Sequence, residues 1–361
     1  MFLALREFKH AKLRFLLISL IMILISFLVL FVSGLAKGLS FDNASSIEGM
    51  NSNYIVLQKD AGRQINHSLL TEKQINEIQK YEKDKNFASL GVQMTTFLKD
   101  GTSKKIDATL FGIDVNGMIA PKVIEGEMIN STTTNEVVGD VSLKDKGIKL
   151  GDHISDQISG KDFKIIGFTE NQSYSHAPVI HMNKKEWALV NSKNAYNAIA
   201  MKSNESTAKK INDKVSGVEV ISKNQALKGI PGYKEEQGSL LLMIVFLFFI
   251  GAFVLAVFFY IITIQKINQF GVLKAIGSRT SYLAKNIIFQ VLALTLMSLF
   301  ISISLTFGLS KFLPAGLPFV FDAKLILGCS LLFLFVAIVG SLISLYKIVK
   351  IDAIEAIGRA F

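Results

Sequence analysis

Four long apolar runs organise this chain. The first, Phe15 to Leu35, holds no charged residue over 21 positions, and at about 1.5 Å of rise per residue a helix of that length crosses a roughly 30 Å hydrocarbon core. Leu240 to Ile264, Asn286 to Leu309 and Leu325 to Tyr346 repeat the pattern. The first run exceeds the roughly 7 to 15 apolar residues of a secretion signal, and the three later spans need an oriented first helix. Gly34 and Ala36 therefore read as helix rather than as a cleavage site. Ser19, Ser26 and Ser33 recur every seven residues on one stripe of this run, and Gly340 with Ser344 forms a similar small pair on the last. Such side chains let helices approach closely, so both predict packing faces within the bundle or in a dimer.

Between the first two runs the pattern changes to short strand-like stretches: Tyr54 to Leu57, Phe87 to Leu98, Ile106 to Ile113, Lys161 to Phe168 and Ala195 to Met201, separated by turn residues. Thr71 with Gln74 three residues on is a capping box, opening a helix through about Lys83, and Ser206 to Val215 predicts a second helix. The expected fold is a membrane protein of four transmembrane α-helices, with a large extracytoplasmic α+β domain between the first and second.

Charge sets the expected orientation. The chain is half apolar and only 19% charged, with a formal net charge of +10. The N-terminus, the loop from Gln265 to Lys285 and the tail from Lys347 together hold eleven Lys and Arg against three acidic residues. Ala36 to Ser239 is nearly balanced, at 26 against 25. Positive loops stay on the cytoplasmic side, so the excess is a topology signal and not a nucleic-acid footprint. The predicted order is a cytoplasmic amphipathic segment (1–14), a span (15–35), the extracytoplasmic domain (36–239) and a span (240–264). A cytoplasmic coupling loop (265–285), a span (286–309), a short outer loop (310–324), a span (325–346) and a cytoplasmic tail (347–361) complete it. This places the protein in a bacterial plasma membrane with both termini cytoplasmic.

Little in the sequence points to catalysis. There is no zinc-ligand spacing and no glycine-flanked nucleophilic serine, so no catalytic residue and no intrinsic cofactor is expected. The lone Cys329 lies in an apolar run and has no disulfide partner. Gly160-Lys161 is followed by Asp162 and lacks a phosphate loop's preceding glycine, so any ATP is bound by another subunit. The spans carry no Asp, Glu, Lys or Arg, which disfavours a hydrophilic path through the bilayer. In the coupling loop, Gly271, Val272, Leu273, Lys274, Ala275, Ile276 and Gly277 set an apolar knob between two glycines. Such a knob needs a partner: the bundle itself, or a groove of an ATPase.

That segment, Phe270 to Gly277, together with Ile351-Asp352-Ala353-Ile354-Glu355-Ala356-Ile357, resembles the paired signatures of the FtsX-like and MacB-like ABC transporter permeases. The order of span, outer domain and three further spans resembles theirs over essentially the whole chain. Phe270 departs from the acidic or small residue usual in the family. The resemblance implies a homodimer working with two copies of an ABC ATPase, whose closure is transmitted to the outer domains.

Within the family, several stretches resemble the heme-regulated (HrtB-type) permeases of Gram-positive bacteria. They are Leu30 to Leu39, Tyr174-Ser175-His176, Ile230-Pro231 with Tyr233 and Glu236-Gln237, and Phe258-Phe259-Tyr260 with Thr263-Ile264-Gln265-Lys266. The implied substrate is heme taken from membrane lipid. A flat apolar macrocycle with an iron that accepts Tyr, His or carboxylate ligands, and with anionic propionates, makes Tyr233, Glu236, Tyr174, His176, Phe31 and Lys37 the candidate contacts. Tyr233 and Glu236 are the candidate iron ligands, and no other metal site is expected. Two other functions fit the same fold: export of antimicrobial peptides or lipids, and mechanical control of a cell-wall enzyme.

Overall fold

The computed structural model describes residues 12–81, 86–191, 195–313 and 317–349. Most of the expected amphipathic N-terminal segment and the Ile351 to Ile357 signature lie outside them. The described chain forms two units, one of residues 38–238 and one of the remainder.

In the membrane unit four helices are long and apolar enough to cross a bilayer, over Phe15–Glu48, Tyr233–Gln265, Ser281–Ser310 and Ala323–Ile343. The first is a single helix from Lys12 to Glu48, so it continues beyond the apolar run and gives its last eleven residues to the other unit. The second begins at Tyr233, before its apolar run, and belongs to the membrane unit from Ser239 onward. The bundle core gathers Phe15, Ile18 and Met22 of the first helix, Leu255 and Phe259 of the second, Leu283, Ile287, Val291 and Leu294 of the third, and Phe333 and Ala337 of the fourth.

The serine stripe faces inward. Ser26 Oγ lies 2.6 Å from Ser302 Oγ of the third helix, and Cys329 Sγ of the fourth lies 3.7 Å from Ser33 Oγ. It is thus an intrachain packing face. Gly340 performs the same role on the fourth helix, where a Cβ would sit 3.4 Å from the Ala256 backbone.

The α+β unit is an eleven-stranded arrangement, β1 (Tyr54–Gln58), β2 (Phe87–Lys99), β3 (Lys105–Ile113), β4 (Val123–Gly126), β5 (Glu136–Asp140), β6 (His153–Asp156), β7 (Asp162–Thr169), β8 (Ser173–Tyr174), β9 (Ala177–Asn183), β10 (Ala198–Met201) and β11 (Val218–Ser222), in the order β11-β1-β10-β2-β3-β9-β5-β7-β4. Because β6 pairs with both β2 and β7, the strands β2, β3, β9, β5, β7 and β6 close on themselves. Closure removes open edges, and the enclosed core holds Phe97, Leu110, Phe163, Phe168 and Trp187. The rest is an open antiparallel layer buried on both faces, which explains why β1 and β10 read as continuous apolar runs. Ile55, Leu57, Ala198 and Ala200 pack toward the first helix's Ala44 and Ile47. Val56, Ile199 and Met201 pack toward Ile78 and Ile211 of two surface helices, Glu72–Gln79 and Glu205–Lys214.

Thr71 and Gln74 form the expected reciprocal cap of the first surface helix, which ends at Gln79 rather than running on toward Lys83. Each of the five strand-like stretches holds a strand, the last only from Ala198 onward, and β4, β5, β6, β8, β9 and β11 are additional to them.

One position tests the closed core directly. Gly91 and Gly112 are paired across β2 and β3, and a Cβ on Gly91 would fall 2.2 Å from the Trp187 ring. The ring is buried and its Nε1 donates to the Ala195 carbonyl at 3.1 Å, so it has little room to yield. Gly91→Ala is expected to cost about 1–3 kcal/mol through overpacking. The measurement is a denaturant titration followed by the emission of Trp187, the chain's one tryptophan; an unchanged midpoint would show that the indole moves aside.

Candidate functional site

The polar extension of the first helix, past the apolar run, carries Ser40, Asp42 and Asn43 into the α+β unit, and the start of the second long helix supplies Tyr233 and Glu236. Between them comes the β8–β9 hairpin. Its pairs Ser173↔Pro178 and Tyr174↔Ala177 leave Ser175 and His176 as the two turn residues, both at positive φ (52° and 59°). Two-residue hairpins favour this mirror-image turn, but Asn and Gly are its usual occupants, and left-handed backbone at other residues costs on the order of 1–3 kcal/mol each. Tertiary bonds hold it: Ser175 N–H donates to the Asn43 carbonyl at 2.7 Å, and Ser173 N–H donates to Ser45 Oγ at 2.9 Å.

The turn presents His176 between two carboxylates. Its Nδ1 is 2.9 Å from Asp42 Oδ2 and its Nε2 is 3.1 Å from Glu236 Oε2. A doubly protonated ring donates to both; a singly protonated one leaves a carboxylate oxygen facing a nitrogen lone pair. Glu236 Oε2 also accepts from Asn43 Nδ2 at 2.7 Å. The Tyr233 hydroxyl is 3.4 Å from Ser40 Oγ, a long contact that leaves the phenol easily recruited. Lys146 adds charge nearby: half-burial pushes its ammonium down from the ordinary lysine value, partly opposed by Asp107 and Asp42.

Three expected contacts, Tyr233, Glu236 and His176, therefore meet in one cluster. Asp42, Asn43 and Ser40 complete it, and nothing in the sequence singled them out, since Asp42 lies 134 residues from its histidine partner.

Tyr174 has to be corrected. Its ring is buried in the domain core edge-on to Phe111, and its hydroxyl has no partner among the described residues, so it does not present a ligand face. Burial also raises its phenol above the ordinary tyrosine range. Both residues of the strand, Ser173 and Tyr174, are buried, and only the turn at Ser175 and His176 carries the chain outward, so Tyr174 packs inward while His176 is presented.

Phe31 and Lys37 belong to the membrane unit. Phe31 stacks between Phe27 and Phe319, at centroid distances of 5.8 and 5.3 Å. Phe319 reaches it because Gly34 has no side chain; a Cβ there would come within 2.6 Å of the ring. Val320 N–H donates to the Gly34 carbonyl at 3.1 Å, fixing this segment to the first helix. Lys37 is half-buried. Among the described residues, no group of three or more His, Cys, Asp and Glu side chains is arranged to hold a metal ion.

The coupling segment is a short helix, Ile267–Ala275. Gly277, at φ 95°, closes it: Gly277 N–H donates to the Lys274 carbonyl at 3.0 Å and Ser278 N–H to the Leu273 carbonyl at 2.9 Å. This left-handed closure needs glycine. Gly271 is buried and Leu273 packs on the bundle core, while Val272 and Ile276 stand 54% and 74% exposed.

Comparison with known proteins gives full-length relatives and a partial structural likeness. A family model described as FtsX-like permease C-terminal matches residues 241–353. A Staphylococcus haemolyticus protein carrying the name of hemin transport system permease protein HrtB is 31% identical over 356 residues, covering 99% of both chains. A Staphylococcus epidermidis protein of the same name is 32% identical over 357 residues, again covering 99% of each. Among solved structures, the periplasmic region of MacB from Actinobacillus actinomycetemcomitans aligns with a TM-score of 0.37 and 14% identity, over 49% of this chain and 92% of that one.

Proposed function

The chain belongs to the FtsX-like family of ABC transporter permeases, and from that premise we propose that it is the membrane subunit of a heme efflux pump, driven by a separate ATPase. The observation that carries this reading is the full-length likeness, 31–32% identical over 99% of each chain, to staphylococcal proteins named for hemin transport. Two permeases pair with two ATPases, the termini and coupling helix lie in the cytoplasm, and the α+β domain lies outside. Heme is substrate here, and no resident cofactor is required.

The Tyr233–Glu236 cluster supports the substrate assignment. A phenolate and a carboxylate are hard oxygen donors suited to ferric iron, and tyrosine is an established haem ligand type. Glu236 is held by Asn43 and His176. Drawing the carboxylate to iron frees the imidazole and loosens the bridge from Asp42 of the first helix to Glu236 of the second. Occupancy at the cluster is thereby felt by both helices. At the other end, Val272 and Ile276 supply the apolar face that an ATPase groove would bury.

The test is titration of hemin into the purified chain in nanodiscs, followed by the Soret band. Saturable binding is expected, weakened about tenfold, or ~1.4 kcal/mol, by Tyr233→Phe or Glu236→Ala, and left unchanged by Tyr174→Phe. Absence of saturable binding in the unsubstituted chain with its ATPase present would rule out heme and favour a peptide, lipid or mechanical role.

A further inference from the structure

Where the second membrane helix meets the coupling helix, the membrane unit buries a group of polar side chains, Thr263, Lys266, Asn286 and Gln290. Lys266 is the single residue between the helices ending at Gln265 and starting at Ile267. It is 2% exposed; its Nζ donates to Gln290 Oε1 of the third helix at 2.8 Å and sits 5.9 Å from the centre of the Phe15 ring of the first. Four residues before Gln290, on the same helix face, is Asn286, also buried. Neither Asn286 Oδ1 nor Asn286 Nδ2 has a hydrogen-bond partner among the described residues, and buried Thr263 Oγ1 has none either. Around them Leu283, Ile287 and Val291 are ordinary core residues.

An unsatisfied buried amide costs on the order of 1–3 kcal/mol. A leucine at position 286 would avoid that cost, so the asparagine is an expense in this state that a second state can recover. The spacing shows how. Residues four apart on a helix are one turn apart, about 6 Å along its axis, and one-turn steps of one element past another are a known form of switching. A lysine ammonium has three donors and no acceptor role, so it must always find an oxygen. Both amide oxygens are neutral, so neither position would trap the cation as a carboxylate would.

We propose that Lys266 is a positioning residue that ties the coupling helix to the third membrane helix, resting on Gln290 in this state and on Asn286 after the coupling helix is displaced by about one turn. The proposal rests on the reading of the chain as an ATPase-driven permease. It adds the element whose two arrangements the ATPase selects.

The test uses the full permease–ATPase complex in nanodiscs, with ATP turnover measured with and without hemin and melting temperature recorded for each variant. Asn286→Leu is expected to melt no lower than the unsubstituted chain, because it removes an unsatisfied amide, yet to lower ATP turnover at least fivefold. Lys266→Arg, which can still donate to either amide, is expected to retain most turnover, and Lys266→Met to lose it. Purely structural polar residues would show the reverse, with stability falling and turnover per folded complex kept. Asn286→Leu turnover within twofold of the unsubstituted complex overturns the proposal, and this variant decides alone should Lys266→Met fail to fold. Turnover lost in Asn286→Leu but insensitive to hemin throughout upholds the step while removing heme as cargo. Failure of any ATPase to assemble with the unsubstituted chain overturns both readings.

Discussion

A chain carrying Val272→Asp and Ile276→Asp is expected to lose its ATPase partner, with association weakened at least a hundredfold and ATP-driven transport abolished. Val272 lies on the coupling helix and Ile276 follows its last residue as the C-cap; both side chains are exposed, while Leu273 packs into the bundle. Burying one aliphatic side chain of this size contributes about 1.5–3 kcal/mol, so two contribute about 3–6 kcal/mol, and placing carboxylates in an apolar groove costs more still. The substitutions touch no buried contact, so Trp187 emission and the unfolding midpoint of the α+β unit should not move. Leu273→Asp is the contrasting variant, since it buries a charge in the bundle and lowers stability. Pull-down of the ATPase with the doubly substituted chain at undiminished affinity would show that the subunits meet elsewhere.

Part of this architecture is carried by local sequence signals and part by long-range packing. Spans are marked by uninterrupted apolarity, and β1, β2, β3, β7 and β10 by continuous or alternating apolar stretches that end at turn residues, so local composition is enough. The Thr71–Gln74 cap is equally local. The first helix's continuation to Glu48 is not: Ser40, Asn43, Ser45 and Ser46 are polar yet buried, and their burial comes from the strands and hairpin packed against them. Closure of β6 onto both β2 and β7 is likewise a long-range pairing that leaves no mark in a short window.

The site divides along the same line. Tyr233, Glu236 and His176 could be singled out by residue type and resemblance, but the bridge to Asp42 and the inward turn of Tyr174 are products of tertiary geometry. In the coupling loop Gly277 does close a short helix, but Gly271 lies inside that helix and not at its start, and which side chain faces out follows from the packing of Leu273. In the sequence Lys266 is one of four basic residues of the coupling loop and the last residue of a stretch that resembles the HrtB-type permeases. Its burial against Gln290 gives it meaning.

Acid should unfold the α+β unit earlier than its carboxylates alone would require, because His181 is buried as a neutral imidazole. It lies on β9 edge-on to Phe111, with a hydrogen bond to the Val138 backbone and no partner for Nδ1. Burial depresses its pKa from 6.5 to about 3. Above pH 6.5 neither folded nor unfolded chain holds the proton, and the full stability is present. Below it the unfolded chain takes up the proton and the folded one does not, so stability falls steadily until about pH 3. At about 1.4 kcal/mol per pH unit the accumulated loss is about 5 kcal/mol, a large part of a domain's typical stability. Asp114 and Asp152, held low chiefly by hydrogen bonds from Lys184 and Lys99, also lose stabilisation in acid, but below the ordinary carboxylate value of 3.8. Denaturant midpoints followed by Trp187 emission at pH 7, 5.5 and 4 separate the two. The unsubstituted chain should decline across that range, and His181→Gln, which cannot titrate, should start from a lower midpoint and decline much less. Parallel slopes for the two chains would mean that the imidazole is protonated without disrupting the core around Phe111.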